Sequence, residues 1–251
     1  MSEPVLRVDR LSKNFSGLAA VSEVTLELAL GEVHAVIGPN GAGKTTLIGL
    51  LSGDLQPSSG SVRYEGKEIA GLPPERIARL GVGHLYQRTN IFPSFTAFEN
   101  CRLATQARLG SSMRFLRPAL RYRELNEAAE RALAEVGLAG RRGTPAAALS
   151  HGEQRQLELA MTLATAPRLL LLDEPLAGMG GEESQRMVAL IAGLAADHAI
   201  LLVEHDMDAV FSVAHRLTVL VNGRVLASDA PEAIRRSRAV QEAYLGGEAP
   251  A

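Results

Sequence analysis

Gly38-Pro-Asn-Gly-Ala-Gly-Lys-Thr45 matches in full the pattern G-x-x-x-x-G-K-[ST] of a loop that cradles phosphate. Gly38, Gly41 and Gly43 allow a tight backbone turn that aims successive N–H groups at phosphate oxygens. Lys44 reaches the β- and γ-phosphates, and the Thr45 hydroxyl is placed to hold Mg²⁺. The flanks agree. Val33–Ile37 reads as a strand, and Thr46-Leu-Ile-Gly-Leu-Leu51 continues as a helix whose positive end faces the anion. A glycine-rich turn between two elements would account for the glycines, but not for Lys-Thr at the start of the helix.

The 251 residues suffice for one large domain with a proper core or for two small lobes. A net charge of −2 offers no general pull toward nucleic acid or an anionic membrane. The one cysteine, Cys101, excludes an internal disulfide and suits a reducing cytosol. Residues 1–10 carry Glu3, Arg7, Asp9 and Arg10 with no apolar run, so no signal peptide is expected. The longest aliphatic runs, 169–172 and 199–203, fall far short of the roughly 20 residues that cross a bilayer.

Residues 5–8 and 24–30 alternate like half-buried strands, and with 61–64 they suggest an antiparallel sheet beside the phosphate loop. Residues 81–86 read as a further short strand, and from Thr96 to about Leu149 the pattern is helical. Ser150 opens another helix, with Glu153 three residues on completing a capping box. The runs 169–172 and 199–203 are expected to be central parallel strands covered on both faces. Asn222-Gly223 predicts a two-residue hairpin turn, and a last helix follows Pro231. Strands alternating with helices argue for an α/β core, with a helical lobe inserted at about 96–160.

Leu169-Leu-Leu-Leu-Asp-Glu-Pro175 puts two carboxylates at the C-terminal end of a buried strand, the edge at which open α/β sheets bind ligands. Phosphoryl chemistry has separate work for each: Asp173 in the Mg²⁺ shell, and Glu174 polarising the water that attacks the γ-phosphate. An acidic strand end can be only a turn signal, but a phosphate loop in the same chain makes that the weaker reading.

Leu149-Ser-His-Gly-Glu-Gln-Arg-Gln-Leu-Glu-Leu-Ala160 resembles the Leu-Ser-Gly-Gly-Gln signature of ATP-binding-cassette (ABC) ATPases. The family's other pieces stand in order: Phe15 ahead of the phosphate loop, Gln87 after a strand, and His205 after the strand that follows the acidic pair. The resemblance covers nearly the whole chain and implies a single nucleotide-binding domain over 1–251. Its P-loop NTPase (RecA-like) core and N-terminal antiparallel β subdomain would span about 1–95 and 161–251, and an inserted α-helical signature subdomain about 96–160.

The resemblance further implies ATP bound along Gly38, Pro39, Asn40, Gly41, Ala42, Gly43, Lys44, Thr45 and Thr46, with Phe15 stacked on adenine. It implies Mg²⁺ held by Thr45, Gln87 and Asp173, and catalysis by Glu174, His205 and Gln87. Ser150, His151, Gly152 and Glu153 would meet the γ-phosphate of ATP held by a second copy. His151 and Glu153 depart from the common glycine and glutamine; His151 either adds a contact or fills space. Residues 176–180, Leu-Ala-Gly-Met-Gly, lack the family's usual aspartate, so no side-chain role is assigned there.

The stretch from Cys101 to Arg123 carries Arg102, Arg108, Arg114, Arg117, Arg121 and Arg123 with no acid between them. Such a face is usually just solvated; the sharper reading is contact with lipid headgroups or a membrane subunit. An insertion of this kind resembles the ATP-binding subunits of branched-chain amino acid importers. So do Ser-His-Gly-Glu, Asp-Glu-Pro-Leu-Ala-Gly-Met, Val-Glu-His-Asp-Met and the closing Ala243-Tyr-Leu-Gly246.

The implied partners are a second ATP-binding subunit, transmembrane permeases and, indirectly, a periplasmic binding protein, with no nucleic acid. The implied place is the cytoplasmic face of the bacterial inner membrane. Urea or amide importers and lipopolysaccharide-export ATPases are the nearest alternatives. A soluble ABC-type ATPase of DNA repair or translation is the alternative of another class, though one cassette, one cysteine and no sustained heptads speak against it.

Overall fold

The structure is a computed structural model and describes residues 3–108 and 123–242, leaving Arg114, Arg117, Arg121 and the Ala243–Gly246 segment outside. Two sheets organise the chain. The first has four strands in the order β2-β1-β4-β5, all antiparallel: β1 (Leu6–Phe15), β2 (Leu18–Leu28), β4 (Ser59–Tyr64) and β5 (Lys67–Glu68).

The second has six strands in the order β10-β9-β3-β8-β7-β6. Its parallel members are β3 (Val33–Ile37), β6 (Val82–Leu85), β7 (Leu169–Asp173), β8 (Ala199–Val203) and β9 (Arg216–Val221). β10 (Arg224–Asp229) closes one edge as the antiparallel arm of the Asn222-Gly223 hairpin.

Every residue of β3, β7 and β8 is buried. Alternate side chains serve two cores, which is why these strands read as unbroken apolar runs. Ala35, Leu170, Leu172, Ile200 and Leu202 join one core with α3 (Ala97–Arg108), α4 (Arg123–Glu135), α5 (His151–Ala164) and α6 (Gly181–Leu194). Val36, Leu169, Leu171 and Leu201 face the other, shared with α1 (Lys44–Ser52), α2 (Pro74–Leu80) and the antiparallel sheet. Helices α7 (Met207–Val213), α8 (Pro231–Arg236) and the short α9 (Arg238–Val240) follow in the described residues, with Pro231 at the first position of α8 as its fixed φ favours.

The first two strands are longer than alternation alone suggests. Their pairing shifts register between Val8 and Leu11 and again between Leu11 and Lys13, with Arg10 and Glu23 at positive φ. Each bulge changes which face the next residue occupies, so a period-two reading ends at the first one. The hairpin therefore runs on to a tip at Ser16-Gly17, and Phe15, paired with Leu18, stands beside that tip.

His34 is a structural residue. It is 1% exposed, with Nε2 2.7 Å from Thr218 Oγ1 and Nδ1 3.3 Å from the Glu27 carbonyl. Burial, offset only in part by Glu32, lowers its pKa from 6.5 to about 4. His84 is likewise lowered to about 4 by burial. The folded chain thus holds both rings neutral. Their contribution to stability is complete above 6.5 and is lost as pH falls toward and through 4. The thermal midpoint is expected to fall over that window, and His34→Val should remove part of the slope, since Thr218 keeps Ser228 as a partner at 2.7 Å. A slope from pH 6.5 to 4 that is the same in His34→Val as in the unaltered chain would rule this out.

Candidate nucleotide and signature sites

The phosphate loop joins β3 to α1 at the centre of the large sheet. Gly38 and Gly43 hold φ of 156° and 103°, and both are also pressed by backbone. A Cβ at Gly38 would lie 2.2 Å from the Leu220 carbonyl oxygen, and one at Gly43 would lie 2.3 Å from that of Ala20. Only glycine fits at either place. Lys44 folds back over the loop, donating to the carbonyls of Gly38 at 2.6 Å and Pro39 at 3.0 Å. Burial lowers its pKa, while the nearby Glu174 and Asp173 pull it back up.

Asp173 ends β7 beside this loop. It is buried, and its pKa is raised to about 6, chiefly by burial and then by Glu174. Its Oδ1 has no hydrogen-bond partner among the described residues. An unpaired, buried carboxylate oxygen suits a cation. Thr45, Asp54, Gln87 and Asp173 line one cavity of about 320 Å³, giving the hydroxyl, amide and carboxylate donors that a hard divalent ion accepts. The residues present therefore fit Mg²⁺ together with a polyphosphate.

Glu174 adopts φ of 49°, a left-handed conformation that costs a non-glycine residue on the order of 1 kcal/mol or more and persists only where the surroundings enforce it. They do so here. Its N–H donates to the Val203 carbonyl at 2.9 Å, its carbonyl accepts from Arg155 Nη2 at 3.0 Å, and its Oε2 accepts from Gln87 Nε2 at 2.9 Å. The carboxylate thus points to the loop that follows β6.

His205 lies two residues past β8, the strand next to β7, and its side chain is 64% exposed. Phe15 is exposed at the hairpin tip, with Lys13 Nζ 5.0 Å above its ring. Neither lines the Thr45–Asp173 cavity.

The signature residues sit elsewhere. Ser150 caps α5 by accepting from the Glu153 N–H at 3.2 Å, and Glu153 returns a bond to the Ser150 N–H at 2.9 Å, completing the expected capping box. The ring of His151 lies against Gly178, where a Cβ would come within 3.0 Å of Cε1. Ser150, Gly152 and Glu153 line a cavity of about 300 Å³ with Arg141, Glu183 and Arg186, and it shares no residue with the cavity at the phosphate loop. One chain therefore does not bring its own signature to its own loop.

Two further residues hold the site and were not singled out by sequence. Arg155, 2% exposed, donates to the carbonyls of Tyr86 (2.5 Å), Asp173 and Glu174 (both 3.0 Å) and pairs with Glu158 at 2.8 Å. It falls on the apolar stripe of α5 between Gly152 and Leu159, and a charge on such a stripe was its available signal. Glu204, 1% exposed, accepts the N–H groups of Leu176 at 2.8 Å and His205 at 3.0 Å, tying the loop after Glu174 to the one bearing His205. Burial raises its pKa, and these bonds oppose the rise. An acid directly after an apolar strand was its available signal, but residue type alone does not show what it binds.

Comparison with known proteins bears on the family and the fold. The ABC transporter family model matches residues 21–177, and that of the branched-chain amino acid ATP-binding cassette transporter matches 224–250. The chain is 42% identical, over 98% of its length and 99% of the relative's, to the high-affinity branched-chain amino acid transport ATP-binding protein BraF of Pseudomonas aeruginosa. It is 40% identical, with the same coverage, to LivG of Escherichia coli, which carries the same description. Among solved structures, the ADP conformation of MJ1267, an ATP-binding cassette of an ABC transporter, superposes with a TM-score of 0.86 at 25% identity, covering 98% of this chain and all of that one. A phosphate loop, an acidic strand end and a capped signature helix on one cassette fold, matched over nearly full length, have one source: the chain belongs to the ABC transporter family, as an ATP-binding protein.

Proposed function

We propose that this chain is the ATP-hydrolysing subunit of an importer of branched-chain, hydrophobic amino acids, acting at the cytoplasmic face of the inner membrane. The observation that carries the ATPase reading is the meeting of Lys44, Asp173, Glu174 and Gln87 where β3, β7 and β6 end. The names of the BraF and LivG relatives support the cargo.

ATP lies along Gly38–Thr46, with Lys44 on its terminal phosphates and Phe15 against adenine. Thr45, Gln87 and Asp173 would hold Mg²⁺, which when bound would supply positive charge to the phosphate oxygens. Glu174 orients the attacking water and takes its proton, Gln87 keeps that carboxylate aimed, and His205 contacts the γ-phosphate. Ser150 and the backbone around Gly152 complete the site on a second subunit, so two cassettes close head to tail around two ATP molecules.

Membrane permeases supply the remaining partners, and a periplasmic binding protein works through them. A groove of about 370 Å³ between α2, β6 and α5, lined by Ile77, His84, Tyr86, Ala104 and Met161, offers a mainly apolar seat for a permease helix. Phe92 and Phe95, exposed and stacked with centroids 5.4 Å apart, extend the apolar surface. Among the described residues no helix is long and apolar enough to cross a membrane, in keeping with a peripheral subunit carried by others.

The test is ATP-driven uptake of labelled leucine into vesicles holding this chain and its permeases. Lys44→Ala should lower ATP affinity about tenfold to a hundredfold, the worth of a lost charge-assisted contact, and abolish uptake. Uptake of urea in place of leucine would move the chain to the neighbouring importers. ATP binding unchanged in Lys44→Ala would sink the loop assignment.

A further inference from the structure

Glu183 lies in the first turn of α6, and its carboxylate reaches the start of α5. Ser150 Oγ donates to Glu183 Oε1 at 3.2 Å. The carboxyl group rests on Gly152, where a Cβ would lie 2.6 Å from Cδ and 2.7 Å from Oε1. Any side chain at 152 would evict it. The start of the 14-residue α5 carries the partial positive charge of its unpaired N–H groups, and a carboxylate is a fitting occupant. Arg141 and Arg186, which line the same cavity, are paired with Glu153 at 2.8 Å and Glu182 at 3.5 Å.

The Ser150 hydroxyl and the Gly152 backbone are the groups assigned above to the terminal phosphate of a second subunit's ATP. A hydroxyl has one proton to donate, so Ser150 cannot donate to Glu183 and to phosphate together. Two anions in contact at this seat also repel.

We propose that Glu183 is an intramolecular competitor of that phosphate. It occupies the signature seat in the separated subunit and swings out when the clamp closes. It thereby raises the ATP concentration needed for closure and favours reopening once the phosphate has gone. This rests on the head-to-tail clamp described above. Glu183 is half-buried at the rim of the cavity, so rotation of its side chain is enough to clear the seat.

The test measures ATP retained by the complete transporter complex as a function of ATP concentration, in a Glu174→Gln background that holds the closed state. Adding Glu183→Gln, which keeps the shape and removes the charge, should lower half-saturating ATP about threefold to tenfold, and Glu183→Ala should do the same. Glu182→Gln, a neighbouring carboxylate whose side chain is 92% exposed, should leave it unchanged. Half-saturating ATP that stays put in Glu183→Gln, or rises, overturns the proposal; a rise would mean that Glu183 positions Ser150 for phosphate. ATP that fails to be retained even with Glu183 intact overturns the clamp itself, and this proposal with it.

Discussion

Glu174→Gln should cut ATP turnover by about a hundredfold to ten-thousandfold, the range of a lost general base, while leaving nucleotide bound. The substitution keeps the length and planarity of the side chain. The backbone bonds that impose φ of 49° do not involve it, so the local fold should persist. What disappears is the negative charge that accepts from Gln87 at 2.9 Å and attracts Lys44. One negative charge fewer beside a triphosphate also relieves repulsion in the loaded site. The variant should therefore accumulate ATP in a closed pair that elutes as a dimer or as a stalled transporter complex. Phosphate release and nucleotide retention measure the two effects separately. Turnover within tenfold of the unaltered chain would remove Glu174 from the role of base.

Arg155→Ala should be the most damaging single change to stability. The guanidinium is fully enclosed and joins three places through four residues: the end of β6 through Tyr86, the end of β7 through Asp173 and Glu174, and its own helix through Glu158. Removing it leaves the buried Glu158 carboxylate with the Asn90 N–H but no cation, and frees three carbonyls, at a cost of about 3–5 kcal/mol. It also frees the Glu174 carbonyl, one of the bonds that enforce its strained backbone. Turnover should therefore fall further than the loss of folded protein explains. Arg155→Lys, a single charge without the planar fork, should recover part of the stability but little of the turnover. Chemical denaturation paired with turnover per folded molecule gives the comparison. A variant within 1 kcal/mol of the parent, by the same scale, would show that water or a shifted side chain satisfies those carbonyls.

Much of the fold is legible because its signals are local. The runs at 169–172 and 199–203 predict buried parallel strands, and Asn222-Gly223 predicts a hairpin; the structure has both. Ser150 with Glu153 predicts a capped helix start, since the two bonds join residues three apart. The hairpin of β1 and β2 is only half legible, because bulges at Arg10 and Glu23 reset the side-chain phase that alternation relies on. Arg155, Glu183 and Glu204 stayed hidden for a different reason. Each is defined by contacts with residues 69, 33 and 28 positions away, and no periodic pattern carries that information.

The candidate chemistry is legible in short segments: a glycine loop with Lys44 and Thr45, an acidic pair at 173 and 174, and a serine-capped helix. Those follow from residue type and short spacing, where local geometry leaves few choices. Which of these segments meet is set by strand order and helix packing. Strand order β3-β8-β7-β6 sets the acidic pair beside the loop and ties Gln87 to Glu174 across 87 positions. The packing of α6 against α5 seats the Glu183 carboxylate on Gly152 and keeps the signature apart from the chain's own phosphate loop. Strand order and helix packing are settled by burying apolar surface on both faces of one sheet, a property of the whole chain that no short segment contains.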